Sequence, residues 1–441
     1  MNIVIIGNGI TGITAARNIR KKSDFNLTVI SSESKYFFSR TALMYLYMGH
    51  EKFENIKPYE DWFWEKNRIN LINDYVRIID TENKKLILAG GKNISFDKLI
   101  IATGSRSNKF GCKGQDLNGV QGLYSIQDLE LMERNTKNIS NAVIVGGGLI
   151  GIEMAEMLLS RNIHVTFLVR EKSYWDNILP FEESALIGRH ILEHGIELRL
   201  SEELKEIITD EKGNAKAVIT NKGDKIECDF VGLTAGVIPN IDVVLNTNIE
   251  SARGVLVNEF LETSIKDIYS AGDCAEIKSQ DGGKNRIEQL WYTGKMQAEA
   301  LAETVCGNRT KYERGILFNS AKFLDIEYQT YGLVNMNTPN EKNLYWEHPD
   351  KKQSIRIVYN DESVIGFNLL GIRYRHEICK KWISNKATIE YVLENLGEAN
   401  FDPEFFKRYE EEILKVYKKQ NPGFNPVLKN KRNFKKYLNV I

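Results

Sequence analysis

Asn2-Ile3-Val4-Ile5-Ile6-Gly7-Asn8-Gly9-Ile10-Thr11-Gly12 is the stretch whose reading decides the fold. Asn2 to Ile6 is an apolar, β-branched run of the kind a parallel sheet buries on both faces. It leads straight into three glycines spaced Gly-x-Gly-x-x-Gly, and the residues from Ile10 to Arg20 are good helix formers. Strand, glycine turn and helix together make a cradle for a dinucleotide. Gly7 permits the tight turn, Gly9 lets the backbone approach a pyrophosphate, and Gly12 lets helix and strand pack closely. The helix start at Ile10 and Thr11 turns N–H groups toward phosphate. Leu27 to Ile30 reads as the next strand. Glu33, 21 positions after Gly12, stands where a carboxylate for ribose hydroxyls is expected, about 20 residues on.

The unit occurs twice. Ala142 to Val145 is a second apolar strand, followed by Gly146-Gly147-Gly148-Leu149-Ile150-Gly151 and a helix with Ile150, Met154, Met157 and Leu158 on one face. One glycine motif is a weak signal, but two copies in the same strand–helix context are a strong one. Each copy also has a later part. Val76 to Ile79 and Lys85 to Leu88 read as hairpin strands leading to Leu99-Ile100-Ile101-Ala102-Thr103-Gly104. Ile196 to Leu200, Ala215 to Ile219 and Lys225 to Cys228 lead in the same way to Val231-Gly232-Leu233-Thr234-Ala235-Gly236. Each nucleotide domain is therefore predicted to carry a small antiparallel excursion before its last strand.

At 441 residues the chain holds several domains. Lys plus Arg and Asp plus Glu are 59 each, so net charge gives no reason to expect nucleic acid or an anionic membrane as partner. No apolar run reaches the ~18 residues of a spanning helix. With no basic leader ahead of Asn2, a cytoplasmic protein is expected. Five scattered cysteines without a CxxC exclude a disulfide framework and a zinc ribbon. The six histidines show no ligand spacing. His190 and His194 stand i and i+4 on a predicted helix with no acid of the HExxH kind beside them, so no metal site is expected.

These motifs resemble the FAD- and NAD(P)H-dependent pyridine nucleotide-disulfide oxidoreductase superfamily over about residues 1 to 335. The resemblance rests on Gly7 to Gly12, Ala102-Thr103-Gly104, Gly146 to Gly151, Gly236-Val237-Ile238-Pro239-Asn240, Thr263-Ser264 and Tyr269-Ser270-Ala271-Gly272-Asp273-Cys274, in the family's order. It implies that Gly7, Gly9, Ile10, Thr11, Gly12, Glu33, Ser39, Arg40, Val76, Ala102, Thr103, Gly104, Gly272 and Asp273 bind FAD. Asp273 would take the ribityl chain; its alternative role is a helix N-cap. Arg106 meets the pyrophosphate or is merely solvated. Gln289, Leu290 and Trp291 open a helix that starts by the flavin ring in relatives, and Trp291 is alternatively plain core. Gly146, Gly148, Leu149, Ile150, Gly151, Arg170 and Gly236 would serve the nicotinamide nucleotide. Glu153 stands near the nicotinamide or is a helix-surface carboxylate.

The chain departs from many relatives at one position. Disulfide reductases, peroxidases and oxidases of the family place a cysteine at the flavin, after a Phe-Leu-Ser-like stretch. Here Tyr36-Phe37-Phe38-Ser39-Arg40-Thr41-Ala42-Leu43 puts Arg40 there. A thiolate nucleophile at the flavin is missing, and Cys274 reads as a small buried residue. The Ser-Arg-x-x-Leu pattern instead resembles rubredoxin reductases and the flavin portion of NAD(P)H nitrite reductases, with Arg40 over FAD. No cysteine cluster is present to ligate an iron–sulfur centre. The second nucleotide unit ends its strand His164 to Leu168 with Val169 and Arg170, where an NADH site would carry a carboxylate. An arginine there leans to NADPH, with Glu171 the competing ribose partner.

Beyond about Arg314, Phe318 to Phe323 and Ile326 to Tyr331, then Ser354 to Tyr359 and Ser363 to Leu370, read as strands. Ile389 to Leu396 and Pro403 to Tyr417 read as helices. Residues 415–441 carry Lys415, Lys418, Lys419, Lys429, Lys431, Arg432, Lys435 and Lys436 without an acid, interleaved with Tyr417, Phe424, Phe434 and Tyr437. Packing of these aromatics onto the body is the favoured reading; docking of an acidic electron carrier or a nucleic-acid patch is the other. Tyr59 to Trp64 reads as packing.

The expected fold class is α/β: two Rossmann-like dinucleotide-binding domains, for FAD and NAD(P)H, with three-stranded β excursions, then a C-terminal α/β interface domain and a helical extension. The boundaries are 1-113 and 253-312 for FAD, 114-252 for NAD(P)H, 313-375 for the interface domain and 376-441 for a basic helical extension. The expected activity is hydride transfer from NAD(P)H to FAD, with Arg40, Glu153 and Trp291 at the reacting centre and electrons passing to a carrier such as rubredoxin or ferredoxin. Alternatives are an NAD(P)H oxidase reducing oxygen and a redox-sensing flavoprotein with slow turnover. The interface domain implies a homodimer as in relatives.

Overall fold

The computed structural model describes residues 1–401, 407–424 and 426–429. The chain divides into two compact units, Met1–Arg170 with Glu202–Arg314 and Glu171–Ser201 with Gly315–Ile441. The expected FAD-binding segments, and the expected NAD(P)H-binding segment apart from 171–201, lie in the first unit. The stretch 171–201, expected within the NAD(P)H-binding domain, is grouped instead with the C-terminal part.

The first unit is built on two parallel sheets. In the first, Asn2–Ile6 lies centrally between Asn26–Ser31 and Lys98–Ile101, with Ile69–Asn73 and Ile268–Ser270 at the edges. Alternate residues of the opening strand serve opposite faces. Ile3 and Ile5 pack with Ile13, Ala16 and Ile19 of the helix Ile10–Lys22 and with Ala298 and Leu301 of the helix Trp291–Val305. Val4 and Ile6 pack with Val76, Leu86 and Leu88 of the excursion. Burial on both faces is why this strand reads as an unbroken apolar run. Its excursion is three-stranded, Val76–Asp80, Lys85–Leu88 and Asn93–Ser95.

The second sheet repeats the plan. Asn141–Val145 pairs in parallel with His164–Val169 and Phe230–Leu233, and Val120–Gln121 adds to the latter. Its excursion consists of Leu204–Thr209, Ala215–Thr220 and Lys225–Glu227. This corrects the expectation for the first strand: Glu197–Leu200 is not part of it, and Leu204–Thr209 is. Two register shifts in the Leu204–Thr209 pairing disturb the alternation that would have marked it.

The second unit holds a five-stranded antiparallel sheet in the order Phe318–Phe323, Ile326–Gly332, Val364–Leu370, Ser354–Tyr359, Lys342–Glu347. The last strand was not expected from the sequence. The helices His376–Ser384, Ile389–Glu394 and Glu410–Gln420 are no appendage. Trp382, Leu393, Leu396, Ile413 and Tyr417 share one core with Ile357 and Phe367 of the sheet. Tyr417 and Phe424 pack edge to face at 5.8 Å, as the packing reading of the tail expected. Pro403, Lys431, Arg432, Phe434, Lys435, Lys436 and Tyr437 lie outside the described residues. No helix of the described residues is long and apolar enough to cross a membrane.

Candidate functional site

Both glycine motifs form cradles. Gly7 has φ +109°, and a Cβ there would lie 2.1 Å from the carbonyl oxygen of Ala102. A Cβ on Gly12 would lie 1.9 Å from the Gly7 oxygen. These two glycines are required by the packing of strand, turn and helix. Gly9 is different: φ is −69°, and a Cβ would meet nothing within 4 Å. The glycine that the fold does not need is the one a pyrophosphate would need. The second cradle repeats this, with Gly146 at φ +113° and Gly151 close-packed, while Gly148 faces open space. Neither cradle helix, Ile10–Lys22 nor Leu149–Leu159, has a side-chain cap or an acid in its first turn. The helix Ile126–Asn135 has a full capping box from Ser125 and Asp128. The two nucleotide helices therefore begin at Gly9 and Gly148 without a side-chain cap, the arrangement that receives phosphate.

Beside the first cradle, a polar cluster gathers around Asp273. Ser105 Oγ and Tyr124 OH donate to Asp273 Oδ2 at 3.0 and 3.4 Å. Gln289 Nε2 donates to Ser105 Oγ at 2.9 Å and to the Val237 carbonyl at 3.3 Å. Burial pushes the Asp273 carboxyl up, against the hydrogen bonds of Ser105 and Tyr124 and the charge of Arg40. Asp273 caps no helix; the downstream helix starts at Trp291 with Leu290 as N-cap.

Arg40 and Glu33 are joined. The guanidinium donates two parallel hydrogen bonds to the Glu33 carboxylate, at 2.7 and 2.6 Å, and a third to the Tyr124 carbonyl at 2.6 Å. Glu33 Oε1 also accepts from the Ile126 amide at 3.0 Å. Burial lowers the affinity of Arg40 for its proton, but the paired carboxylate outweighs this and holds it charged. Arg40 also stacks over the Tyr124 ring, 4.5 Å from its centroid. Tyr124 thus touches Arg40, Asp273 and Ser105, and sequence reasoning missed it. It stands far from every glycine motif, and its only sequence trace is Gly104, where φ is +70° and a Cβ would lie 2.8 Å from the Tyr124 hydroxyl.

The other expected residues fall as follows. Thr103 Oγ1 donates to the Asn240 carbonyl at 2.6 Å. Ser39 Oγ lies 3.2 Å from Thr41 Oγ1 at the start of a short 3-10 turn. Val76 is core, packed in the first excursion. Gly272 has φ +81° and lies against Thr11. Trp291 is exposed, which removes the core reading for it. Glu153, Leu149 and Ile150 lie on the helix of the second cradle, and Arg170 follows its second strand directly. Gly236 has φ +90°. Arg106 is exposed and lines a cleft of about 690 Å³ with Arg253, Arg286, Arg314, Glu288 and Gln289.

Of the five cysteines, Cys228, Cys274 and Cys379 are buried. Burial pushes the Cys228 thiol up to about 12, and Cys274 sits in the core beneath the first sheet. Alkylation of accessible thiols is expected to leave NAD(P)H-linked flavin reduction unchanged, within about twofold. Full inactivation by stoichiometric alkylator, read by flavin bleaching, contradicts this.

The residues present fit two dinucleotides: room for a Cβ at Gly9 and Gly148, helix starts without side-chain caps, and a carboxylate cluster beside the first cradle. Residues 1–298 match the family model described as pyridine nucleotide-disulphide oxidoreductase. The chain is 28% identical over 400 residues to the NADH-rubredoxin oxidoreductase of Clostridium acetobutylicum, covering 89% of this chain and 99% of that one. It is 29% identical over 374 residues to the nitrite reductase [NAD(P)H] of Bacillus subtilis, covering 84% of this chain but only 45% of the relative, so it spans less than half of that protein. Among solved structures, a ferredoxin reductase from Rhodopseudomonas palustris superposes with a TM-score of 0.77 at 22% identity, over 84% of this chain and 91% of that one. The chain belongs to the pyridine nucleotide-disulphide oxidoreductases, and as a member of that family it is an FAD-dependent NAD(P)H oxidoreductase.

Proposed function

We propose that this protein passes reducing equivalents from NAD(P)H to an acidic electron-carrier protein of the rubredoxin or ferredoxin kind, received at the arginine-lined cleft of the first unit. The observation that carries this reading is the cleft itself. Arg106, Arg253, Arg286 and Arg314 line it, and so does Gln289, whose amide reaches Ser105 and through it Asp273. Asp242, Glu276 and Glu288 stand 3.3–3.8 Å from these four arginines, which leaves the cleft one positive charge in excess, and one of its walls belongs to the cluster that suits the flavin. FAD, held by the first cradle and Asp273, would supply chemistry that accepts a two-electron hydride and releases single electrons, so that one NAD(P)H would serve two carrier molecules.

The protein's own residues do the rest. The first cradle and Asp273 hold the cofactor chain, and the Arg40–Glu33 pair fixes a permanent positive group beside Tyr124. With an arginine where relatives place a thiol, no sulfur relay intervenes. The four arginines raise the local concentration of an acidic partner and speed its encounter.

The test is reduction of rubredoxin and ferredoxin by the Arg106→Ala/Arg286→Ala double variant. At low ionic strength kcat/KM for the carrier is expected to fall about tenfold or more, with a flatter salt dependence. Reduction of a neutral quinone is expected to stay within about twofold. Equal carrier rates in variant and wild type overturn the docking reading, and oxygen consumption at the full NAD(P)H rate without any carrier selects the oxidase reading instead.

For the coenzyme, the arginine that follows Val169 favours the 2′-phosphate. Arg170→Ala is expected to raise KM for NADPH about tenfold and leave KM for NADH nearly unchanged. A strong NADH preference untouched by the substitution overturns the NADPH lean.

A further inference from the structure

His190 and His194 stand at the end of the helix Phe181–Glu193, and the turn between the strands Phe318–Phe323 and Ile326–Gly332 brings Asp325 to them. Asp325, 135 positions from His190 in sequence, adds its carboxylate to the pair. One ligand atom from each of the three residues lies within 4.8 Å of the others, and this is the one such group of three among the described residues. His190 Nε2 touches Asp325 Oδ1, and His194 Nε2 lies 3.6 Å from the same oxygen. Ligand atoms around a tetrahedral zinc ion, with bonds of about 2.0–2.1 Å, stand roughly 3.3 Å apart. The three donors converge on one point, and His190 Nε2 and Asp325 Oδ1, now in direct contact, would part to admit an ion between them.

The protonation pattern calls for a cation between them. His194 Nδ1 lies 2.9 Å from the His190 carbonyl, a contact that assigns the proton to Nδ1. In the neutral ring, Nε2 is then an acceptor, and it faces a carboxylate oxygen, another acceptor. Two acceptors at that distance repel unless a proton or a metal ion lies between them. A backbone carbonyl orienting the far nitrogen is the usual support of a metal-bound imidazole. His190 is 2% exposed, and its Nδ1 is buried without a hydrogen-bond partner, the nearest carboxylate oxygen, on Glu193, being 3.8 Å away.

We propose that His190, His194 and Asp325 bind a divalent first-row metal ion of the zinc type, with water as the fourth ligand. The ion ties the helix end to the hairpin turn within the second unit and so closes a long loop of chain. A long loop closed by a metal stabilises the folded state through the entropy removed from the unfolded chain.

The test is calorimetric titration of Zn²⁺ into chelator-stripped, flavin-loaded protein. One equivalent is expected to bind to the wild type, and Zn²⁺ is expected to raise its thermal midpoint. His194→Ala and Asp325→Asn, both at exposed positions, are each expected to weaken binding on the order of 100-fold and to abolish the rise in midpoint. Glu193→Gln, which changes a neighbouring carboxylate outside the ligand set, is expected to bind as the wild type does. Absence of Zn²⁺ binding by the wild type overturns the proposal. So does equal affinity in wild type and His194→Ala, which marks the binding as adventitious surface capture and the triad as a proton-bridged ion pair.

Discussion

Gly7→Ala yields a protein without flavin that is less stable by about 3 kcal/mol or more, whereas Gly9→Ala yields a stable protein that merely binds flavin poorly. Gly7 sits at φ +109°, with the Ala102 carbonyl oxygen 2.1 Å from where a Cβ would go. The clash is with backbone in the centre of the sheet and cannot be relieved by a rotamer change. Backbone strain and the shift of a central strand together make the large penalty. Gly9 has φ −69° and open space where its Cβ would stand, so alanine there costs the apoprotein within about 1 kcal/mol, the ordinary loss at a helix N-cap. The methyl group instead occupies the path of the pyrophosphate, and FAD affinity falls at least about tenfold, or 1.4 kcal/mol. Thermal unfolding of the apoproteins and flavin titration separate the two effects. Flavin affinity in Gly9→Ala equal to the wild type contradicts the assignment of this cradle. Gly148→Ala behaves in the same way toward NAD(P)H, raising its KM while flavin content stays full.

The second large effect lies in the C-terminal unit. Glu183 is fully buried and accepts two hydrogen bonds from the Arg356 guanidinium, both at 2.8 Å, and one from Asn368 at 3.2 Å. Glu182, half-exposed, takes the remaining contact with Arg356 at 2.6 Å. Glu183→Ala leaves the buried guanidinium without its main partner, and breaking such a pair costs about 3–5 kcal/mol. Glu182→Ala removes a partly solvated contact and costs under about 1 kcal/mol. Replacing both partners, Glu183→Leu with Arg356→Met, recovers most of the loss, because no charge is then stranded. Denaturant unfolding of the four proteins gives the ranking, and a Glu183→Ala protein as stable as Glu182→Ala sinks it. Flavin content is expected to stay full, since all cradle residues belong to the first unit.

The sequence revealed what is local. The run Asn2–Ile6 with its three glycines, its twin at Asn141–Gly151, and the Ala-Gly-Asp turn at Asp273 are each set by backbone requirements that only a few residue types meet, so they are readable in a single chain. Interactions across the chain were not readable. Glu33 and Arg40 were each assigned to the flavin separately, and only the fold shows them as one pair, with Tyr124 laid against it. Asp325 has no sequence feature linking it to His190. Arg106, following Ala-Thr-Gly, was read as meeting a pyrophosphate or as solvated, and nothing local showed that its short strand Ser105–Ser107 pairs antiparallel with Val237–Pro239 and lines the arginine cleft. Lys342–Glu347 escaped notice because only Leu344 and Trp346 on one face carry the alternation.

The two units are interleaved along the chain, and this governs the order in which the ribosome allows them to form. The first sheet takes its edge strand from Ile268–Ser270, and the helix Phe181–Glu193 belongs with strands that begin at Phe318. A nascent chain that has exposed both glycine turns still lacks Asp273 and the last strand of its first sheet. Its helix at 181–193 must wait, apolar side uncovered, through more than a hundred further residues of synthesis. Ribosome-associated chaperones therefore have a long window on this polypeptide, and cofactor capture is a late event in its biogenesis.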